Sequence, residues 1–302
     1  MHIGIIGTIN HDKITMPNGL QINDLGGILY NITVLADLIG EKDLLFPISQ
    51  IGADYYDKMK ELLALRAGVK TCGISISPKG TSKNEICYDS SMEKIERLTN
   101  HINPISFEQI EPNLGVDALL VNFIVGDDIS LDTMRMIRMR FSGLLYLDVH
   151  NLCLGIDRKG FRQPRAPDNW QGWIEMFDIV QMNDVEAHLL AGRILNTIDD
   201  YIDFGKKLLP LGPSTLIITR GPRGSITVFR DNSKIESIVT PPERVPKMVD
   251  TTGCGDAFAA GFLVAYLTTK ELNLAIQLGT KVATLNCSIA GMPTVGYFRH
   301  VL

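Results

Sequence analysis

Short apolar runs alternate with helix-periodic stretches along most of the chain. This rhythm limits the fold more than any other feature, because it marks βαβ units that feed a mostly parallel sheet. Residues 3–7, 44–48, 118–123, 144–149, 179–182 and 216–219 are the runs, each read as a buried strand. Between the first two, Ile28, Leu29, Ile32, Leu35, Ala36 and Ile39 are spaced for one helical face, and Gly40 is placed to end that helix. Two segments break the rhythm. Ile14-Thr15-Met16 and Leu20-Gln21-Ile22 flank Pro17-Asn18-Gly19, a hairpin signal because Asn-Gly supplies the positive φ angles of the turn. Residues 74–77 and 84–88 flank Pro78-Lys79-Gly80 and read as a second β-pair. The pairs predict a small β-sheet lid, about residues 12–25 and 74–100, inserted in a single α/β domain over residues 1–302 and covering a site at the strand C-termini. The lid is also the expected face for a homodimer.

Charge and cysteine usage exclude several classes of function. With 29 Lys+Arg against 34 Asp+Glu the net charge is -5, the wrong sign for a protein that neutralises nucleic-acid phosphates. The five cysteines, Cys72, Cys87, Cys153, Cys254 and Cys287, contain no C-x-x-C pair, so neither a disulfide framework nor a zinc knuckle is indicated. The apolar start is too short for a signal peptide, and no apolar run approaches the roughly 18 residues of a membrane span, so a cytoplasmic protein without membrane partners is expected. His2, His11, His101, His150, His188 and His300 show no metal-ligand spacing.

The segment richest in chemistry is Asp250-Thr251-Thr252-Gly253-Cys254-Gly255-Asp256, after which Phe258, Phe262, Ala265 and Tyr266 fall on one helical face. Glycines just ahead of a helix let backbone N–H groups converge, and the helix dipole adds positive potential, so Gly253, Cys254 and Gly255 form an anion cradle. A carboxylate at Asp256 beside bound phosphate suits a general base that accepts a proton from an attacking hydroxyl. Read alone, it equally suits a first-turn acid favoured by the dipole. No G-x-x-x-x-G-K-[S/T] occurs, and Gly4 and Gly7 fit no G-x-G-x-x-G, so neither a P-loop nor a dinucleotide site competes with this cradle.

The run from Asp250 to Phe258 resembles the C-terminal signature of the ribokinase-like (PfkB) carbohydrate kinases, with Cys254 in place of the usual Ala. The resemblance continues through Gly7 to Asp12, Gly26-Gly27 with Asn31, Gly52-Ala53-Asp54, Asn183-Asp184-Val185-Glu186, Thr219 to Gly224, and Gly291 to Thr294. It implies a central, mostly parallel sheet flanked by helices with a β lid. It implies substrate hydroxyls held by Asn10, Asp12, Gly26, Gly27 and Asn31. It places Mg²⁺, through water on Glu186, together with phosphates at Asn183. It assigns the nucleotide of ATP to Thr219, Gly221, Gly224 and Gly291, and a monovalent cation such as K⁺ to Asp250 and Thr252. Asp148-Val149-His150-Asn151 matches the family's Asp-x-Asn only loosely.

The expected activity is therefore ATP-dependent phosphorylation of a hydroxyl on a small sugar-like substrate. A nucleoside kinase, with Tyr30 or Phe123 as an aromatic wall, is the alternative, and a non-catalytic nucleotide-binding regulator on the same fold is a third. His11 is a further candidate for touching substrate. Arg158, Lys159, Arg162 and Arg165 read either as a solvated loop or as a guanidinium that reaches an anionic substrate group. Arg135, Arg138 and Arg140 read as an exposed helix face.

Overall fold

The computed structural model describes residues 1–15, 17–89, 94–244 and 248–301. Met16 and residues 90–93 of the expected lid lie outside the described residues. The strands are β1 (His2–Ile6), β2 (Asn10–Thr15), β3 (Gln21–Leu25), β4 (Leu44–Gly52), β5 (Ile74–Ser77), β6 (Ser82–Tyr88), β7 (Lys94–Asn100), β8 (Ala118–Asn122), β9 (Leu144–Asp148), β10 (Leu154–Ile156), β11 (Arg162–Pro164), β12 (Ile179–Asn183), β13 (Thr215–Thr219), β14 (Ser225–Asp231) and β15 (Lys234–Thr240). The helices are α1 (Leu29–Leu38), α2 (Tyr56–Ala64), α3 (Phe107–Ile110), α4 (Leu131–Arg140), α5 (Trp170–Ile174), α6 (Asp184–Ala191), α7 (Ile198–Leu208), α8 (Cys254–Thr269) and α9 (Leu272–Asn286).

Nine strands form one sheet in the order β15-β14-β13-β12-β9-β8-β1-β4-β5. All pairings from β13 to β5 are parallel, and β14 and β15 close one edge antiparallel. The parallel strands are apolar on both faces because both faces are covered. Along β8, Ala118 and Leu120 enter a core shared with α1, α2, α8 and α9. Leu119 and Val121 enter the opposite core, built with α3 to α7. The expected α/β architecture is the one found.

The lid is a four-stranded sheet in the order β3-β2-β6-β7. Its first hairpin turns at Gly19, whose φ of +82° needs glycine. The second expected pair is a correction: β5 and β6 are not partners. β5 joins the edge of the large sheet parallel to β4, while β6 crosses into the lid and pairs parallel with β2. The crossing is held by the carboxylate of Asp54, which accepts Thr81 N–H at 3.1 Å and Thr81 Oγ1 at 2.6 Å, while Thr81 Oγ1 accepts Gly52 N–H at 2.9 Å. These bonds give the Gly52-Ala53-Asp54 motif its structural work, and sequence spacing cannot separate such a crossing from a hairpin.

Gly40 likewise does not end α1 by a left-handed turn. The chain leaves the helix at Ile39, extended at φ -78°, ψ 153°, and Gly40 N–H is taken by Asp43 Oδ2 at 2.9 Å. Ile28 and Leu29 point into the core as their spacing suggests, and α1 is buried on nearly every face. Within it, Asp37 accepts the N–H groups of Gly296 and Phe298 and lies 3.6 Å from Arg66, whose guanidinium donates to Thr33 O and Pro293 O. The loop after α9 is thereby tied to α1.

Candidate active site

Asn122 of β8, Asp148 of β9 and Gln181 of β12 meet the first turn of α8 directly or through one another, near the C-terminal ends of parallel strands, where such a sheet places its ligands. The loop from Asp250 reaches α8 through Gly253, which is left-handed at φ +75°. A Cβ on Gly253 would fall 2.6 Å from the Tyr30 ring, so only glycine lets that ring lie on the cradle. Burial pushes the Tyr30 hydroxyl far above its ordinary range, and the charges of Asp12, Asp250 and Asp256 add to the effect.

Asp256 is buried in the first turn of α8. Its Oδ1 accepts Asn122 Nδ2 at 2.6 Å, and the same amide group donates to Asn31 Oδ1 at 2.8 Å. Asn31 Nδ2 returns to the Asp256 carbonyl at 3.3 Å, closing a ring of three side chains from α1, β8 and α8. His150 Nδ1 is 3.1 Å from Asn122 Oδ1, an acceptor, so the proton sits on Nδ1. Loss of hydration raises the Asp256 carboxyl to about 6, against the opposing pull of the Asn122 amide.

A second network supports the cradle from below. Tyr146 OH donates to Gln181 Oε1 at 2.6 Å, and Gln181 Nε2 donates to Asp148 Oδ2 and to Gly255 O, each at 3.1 Å. Burial and then the charges of Asp256 and Glu186 push the Asp148 carboxyl well up. Glu186 is pushed up to about 8 by burial, although hydrogen bonds from Asn183 and the His150 backbone oppose the shift.

The structure gives Asn183 and Glu186 a role the sequence reading did not weigh. Asn183 caps α6, with its Oδ1 accepting Glu186 N–H at 2.9 Å, and Glu186 Oε2 accepts Asn183 N–H at 2.8 Å. This is a capping box. Asn183 also pairs with Thr219 across β12 and β13, so the Thr219 to Gly224 loop begins beside it. In that loop Gly221 and Gly224 are left-handed, at +51° and +77°. Gly291, at +69°, donates its N–H to Asp250 Oδ2 at 3.3 Å, while Asp250 Oδ1 accepts Thr252 N–H at 2.9 Å.

The expected acceptor shell gathers at the root of the lid. Asn10 Nδ2 donates to Asp12 Oδ1 at 2.8 Å. A Cβ on Gly26 would lie 2.0 Å from Asp12 Oδ2, and one on Gly27 would lie 2.1 Å from Thr8 O and 3.0 Å from Asn10 Oδ1. The glycine pair is thus the floor on which the two polar side chains rest. The buried Asn10 Oδ1 has no hydrogen-bond partner within the protein.

Other expectations separate. His11 stacks on Tyr55 with ring centroids 4.6 Å apart, on the strand face opposite Asn10 and Asp12. Phe123 is fully buried edge-on to Trp173, so it cannot form a wall for a ligand. In the basic stretch, Arg165 is exposed beside Asp168, whereas Arg162 is buried, donating to Ile124 O at 2.9 Å with its Nε 3.8 Å from Glu96 of the lid. Arg135 and Arg138 pair with Asp132 and Asp178 on the surface, and Arg140 with Glu111. Asn122 and Gln181 belong to this network and were not singled out from sequence, while Asp148 and His150 were noted only as a loose match to the family's Asp-x-Asn. Their one signal is a polar side chain within an apolar strand, at its end or just beyond it.

Residues 158–293 match the family model described as pfkB family carbohydrate kinase. A cytidine kinase of Thermococcus kodakarensis is 24% identical over 300 residues, covering 92% of this chain and 93% of that protein. Ribokinase of Thermotoga maritima superposes with a TM-score of 0.77 at 23% identity, over 99% of this chain and 98% of the other. Ribokinase of Arabidopsis thaliana, solved with ribose and ATP, gives 0.78 at 18% identity, over 99% and 98%. The fold that the motifs implied is the fold found, and the family resemblance stands. Among the described residues no helix is long and apolar enough to cross a membrane.

The raised Glu186 carboxyl carries a stability consequence. Between the ordinary carboxylate range and about 8, the folded chain holds a proton there that the unfolded chain has lost, so folding weakens as pH rises through that window. Glu186→Gln keeps an amide able to complete the capping box and removes the titration. Its urea midpoint relative to the parent should therefore improve from about pH 5 to about pH 8; an offset independent of pH would contradict this.

Proposed function

We propose that this ribokinase-family kinase transfers the γ-phosphoryl group of ATP to one hydroxyl of a neutral sugar or sugar derivative. The observation that carries the reading is the buried Asp256 carboxylate, held by Asn122 and set one residue after a glycine-flanked helix N-terminus. Asn10, Asp12, Gly27 and Asn31 would hold substrate hydroxyls and orient one of them toward Asp256. Asp256 then accepts that hydroxyl's proton. The N–H groups of Gly253 to Asp256 stabilise negative charge on the transferring group. The carboxyl oxygens of Asp148 and Glu186 are hard donors of the kind magnesium takes directly or through water, and a bound metal–nucleotide would displace the protons that burial favours there. When bound, that group supplies the phosphoryl and the positive charge its oxygens need. Closure of the lid over the site would exclude water.

The likeness to a cytidine kinase along 92% of this chain favours a second reading, a nucleoside whose ribose is the acceptor. Tyr30 on Gly253 is then the ring available to a base. A panel of free sugars and nucleosides assayed for ADP release separates the two readings.

The neutrality of the acceptor rests on Arg162. Its charge is already met by Glu96, and Asp128 and Asp12 also act on it, so an incoming anion would meet surplus negative charge. Neutral acceptors should exceed their phosphorylated or carboxylated counterparts in kcat/KM by about tenfold or more. Arg165→Ala should behave as the parent. Preference for the anionic partner of each pair would overturn this part of the reading.

Asp256→Asn should keep nucleotide binding and lower kcat about a hundredfold or more, the scale of a lost general base. In the parent, kcat/KM should fall as pH drops through about 6, because the base must be unprotonated. Asn122→Ala removes the hydrogen bond that favours the carboxylate, so this acid limb should move to higher pH. A near-parental rate for Asp256→Asn, or an unmoved limb, would refute the assignment.

Asp250 and Thr252 hold one another and Gly291 beside the cradle, and the family resemblance assigns them K⁺. Exchanging potassium for tetramethylammonium should slow the reaction; equal rates would remove the cation from the proposal.

A further inference from the structure

The cysteine that replaces the family's usual alanine in the cradle does not stand alone. Cys254 opens α8 between Gly253 and Gly255, and Cys287 follows the last turn of α9, the helix packed against α8. Their sulfurs lie 2.9 Å apart, in contact and half-buried, and both are free thiols. The pair is braced: Asn286 Nδ2 donates to Thr252 O at 2.9 Å and lies 3.6 Å from Cys254 Sγ, and Cys287 O accepts Val249 N–H at 2.8 Å. Cys72 and Cys87 are exposed and Cys153 is buried, and no other two cysteines are in contact among the described residues.

We infer that Cys254 and Cys287 form a reversible disulfide on exposure to a peroxide, and that this link shuts the cradle. One thiol attacks the peroxide O–O bond, becoming a sulfenic acid and releasing one water from hydrogen peroxide. The second thiol then attacks the sulfenic sulfur, forms the S–S bond and releases the second water. Two thiols are oxidised, one peroxide is reduced, and no further reactant is needed. A disulfide is about 2.05 Å long, so the two sulfurs must close by roughly 1 Å, which pulls on the segments that carry them. They do not share that movement evenly in its effects. Behind Cys287 lies a helix end, whereas on either side of Cys254 lie the N–H groups expected to meet the transferring phosphoryl group. A small displacement there removes aligned donors, which costs far more rate than binding. Reduction by a dithiol restores both thiols. The expectation from sequence of unlinked cysteines describes the reduced state.

The functional half of this inference rests on the kinase reading, whereas the bond itself does not. Purified protein is treated with hydrogen peroxide, digested without reductant and mapped by mass spectrometry, in parallel with the rate on the best acceptor. A Cys254–Cys287 peptide should appear as activity falls about tenfold or more, and dithiothreitol should reverse both. Cys287→Ser, whose side chain is outside the machinery, should keep the basal rate and resist peroxide. Cys72→Ser, which removes an exposed thiol, should remain sensitive. Peroxide that modifies Cys72 and Cys87 while leaving Cys254 and Cys287 unlinked would overturn the inference, as would a linked protein with an unchanged rate. A linked peptide in a protein that phosphorylates no acceptor would support the bond and reject the kinase reading.

Discussion

The hydrogen bond from Asn122 to Asp256 is the interaction around which the site is organised. A carboxylate taken out of water must find donors or give up its charge. Asn122 supplies one donor from the end of β8, and Asn31 of α1 steadies that amide from the other side. Three elements distant in sequence are locked by a single hydrogen-bonded ring, so the fold itself fixes the position of the Asp256 carboxyl group. The same burial that makes Asp256 costly keeps its carboxyl near 6, within reach of both protonation states near neutral pH.

Much of this arrangement was legible in the sequence. The apolar runs became the central strands because a sheet buried on both faces tolerates nothing else there. Gly253 and Gly255 marked the start of α8 through a local rule, the helix N-terminus, which operates within a few residues. Gly26 and Gly27 were legible as a motif, but their reason was not: they are glycines because Asp12, Asn10 and Thr8 O occupy the space a Cβ would need.

What the sequence hid has physical causes of the same kind. Asn122 is one polar residue at the end of an apolar strand, and only the fold brings it to a carboxylate 134 residues away. The β5–β6 segment reads as a hairpin locally, while Asp54, through Thr81, sends the chain from one sheet to another. The Asn-x-x-Glu motif looked like a metal element, and in the fold its two side chains satisfy a helix end. Arg162 was recognised as a charge, and its burial against Glu96 depended on the lid folding back over it.

Helix α1 acts as a crossbeam. Its first turn carries Tyr30 against Gly253 and Asn31 to Asn122 and Asp256, and two turns later Asp37 grips the backbone of Gly296 and Phe298 beyond the Gly291 loop. Because the helix is buried along nearly its whole length, it can tilt or slide but hardly bend. The segment around Phe298 is thus tied, through one helix, to the ring that Asn31 forms with Asn122 and Asp256.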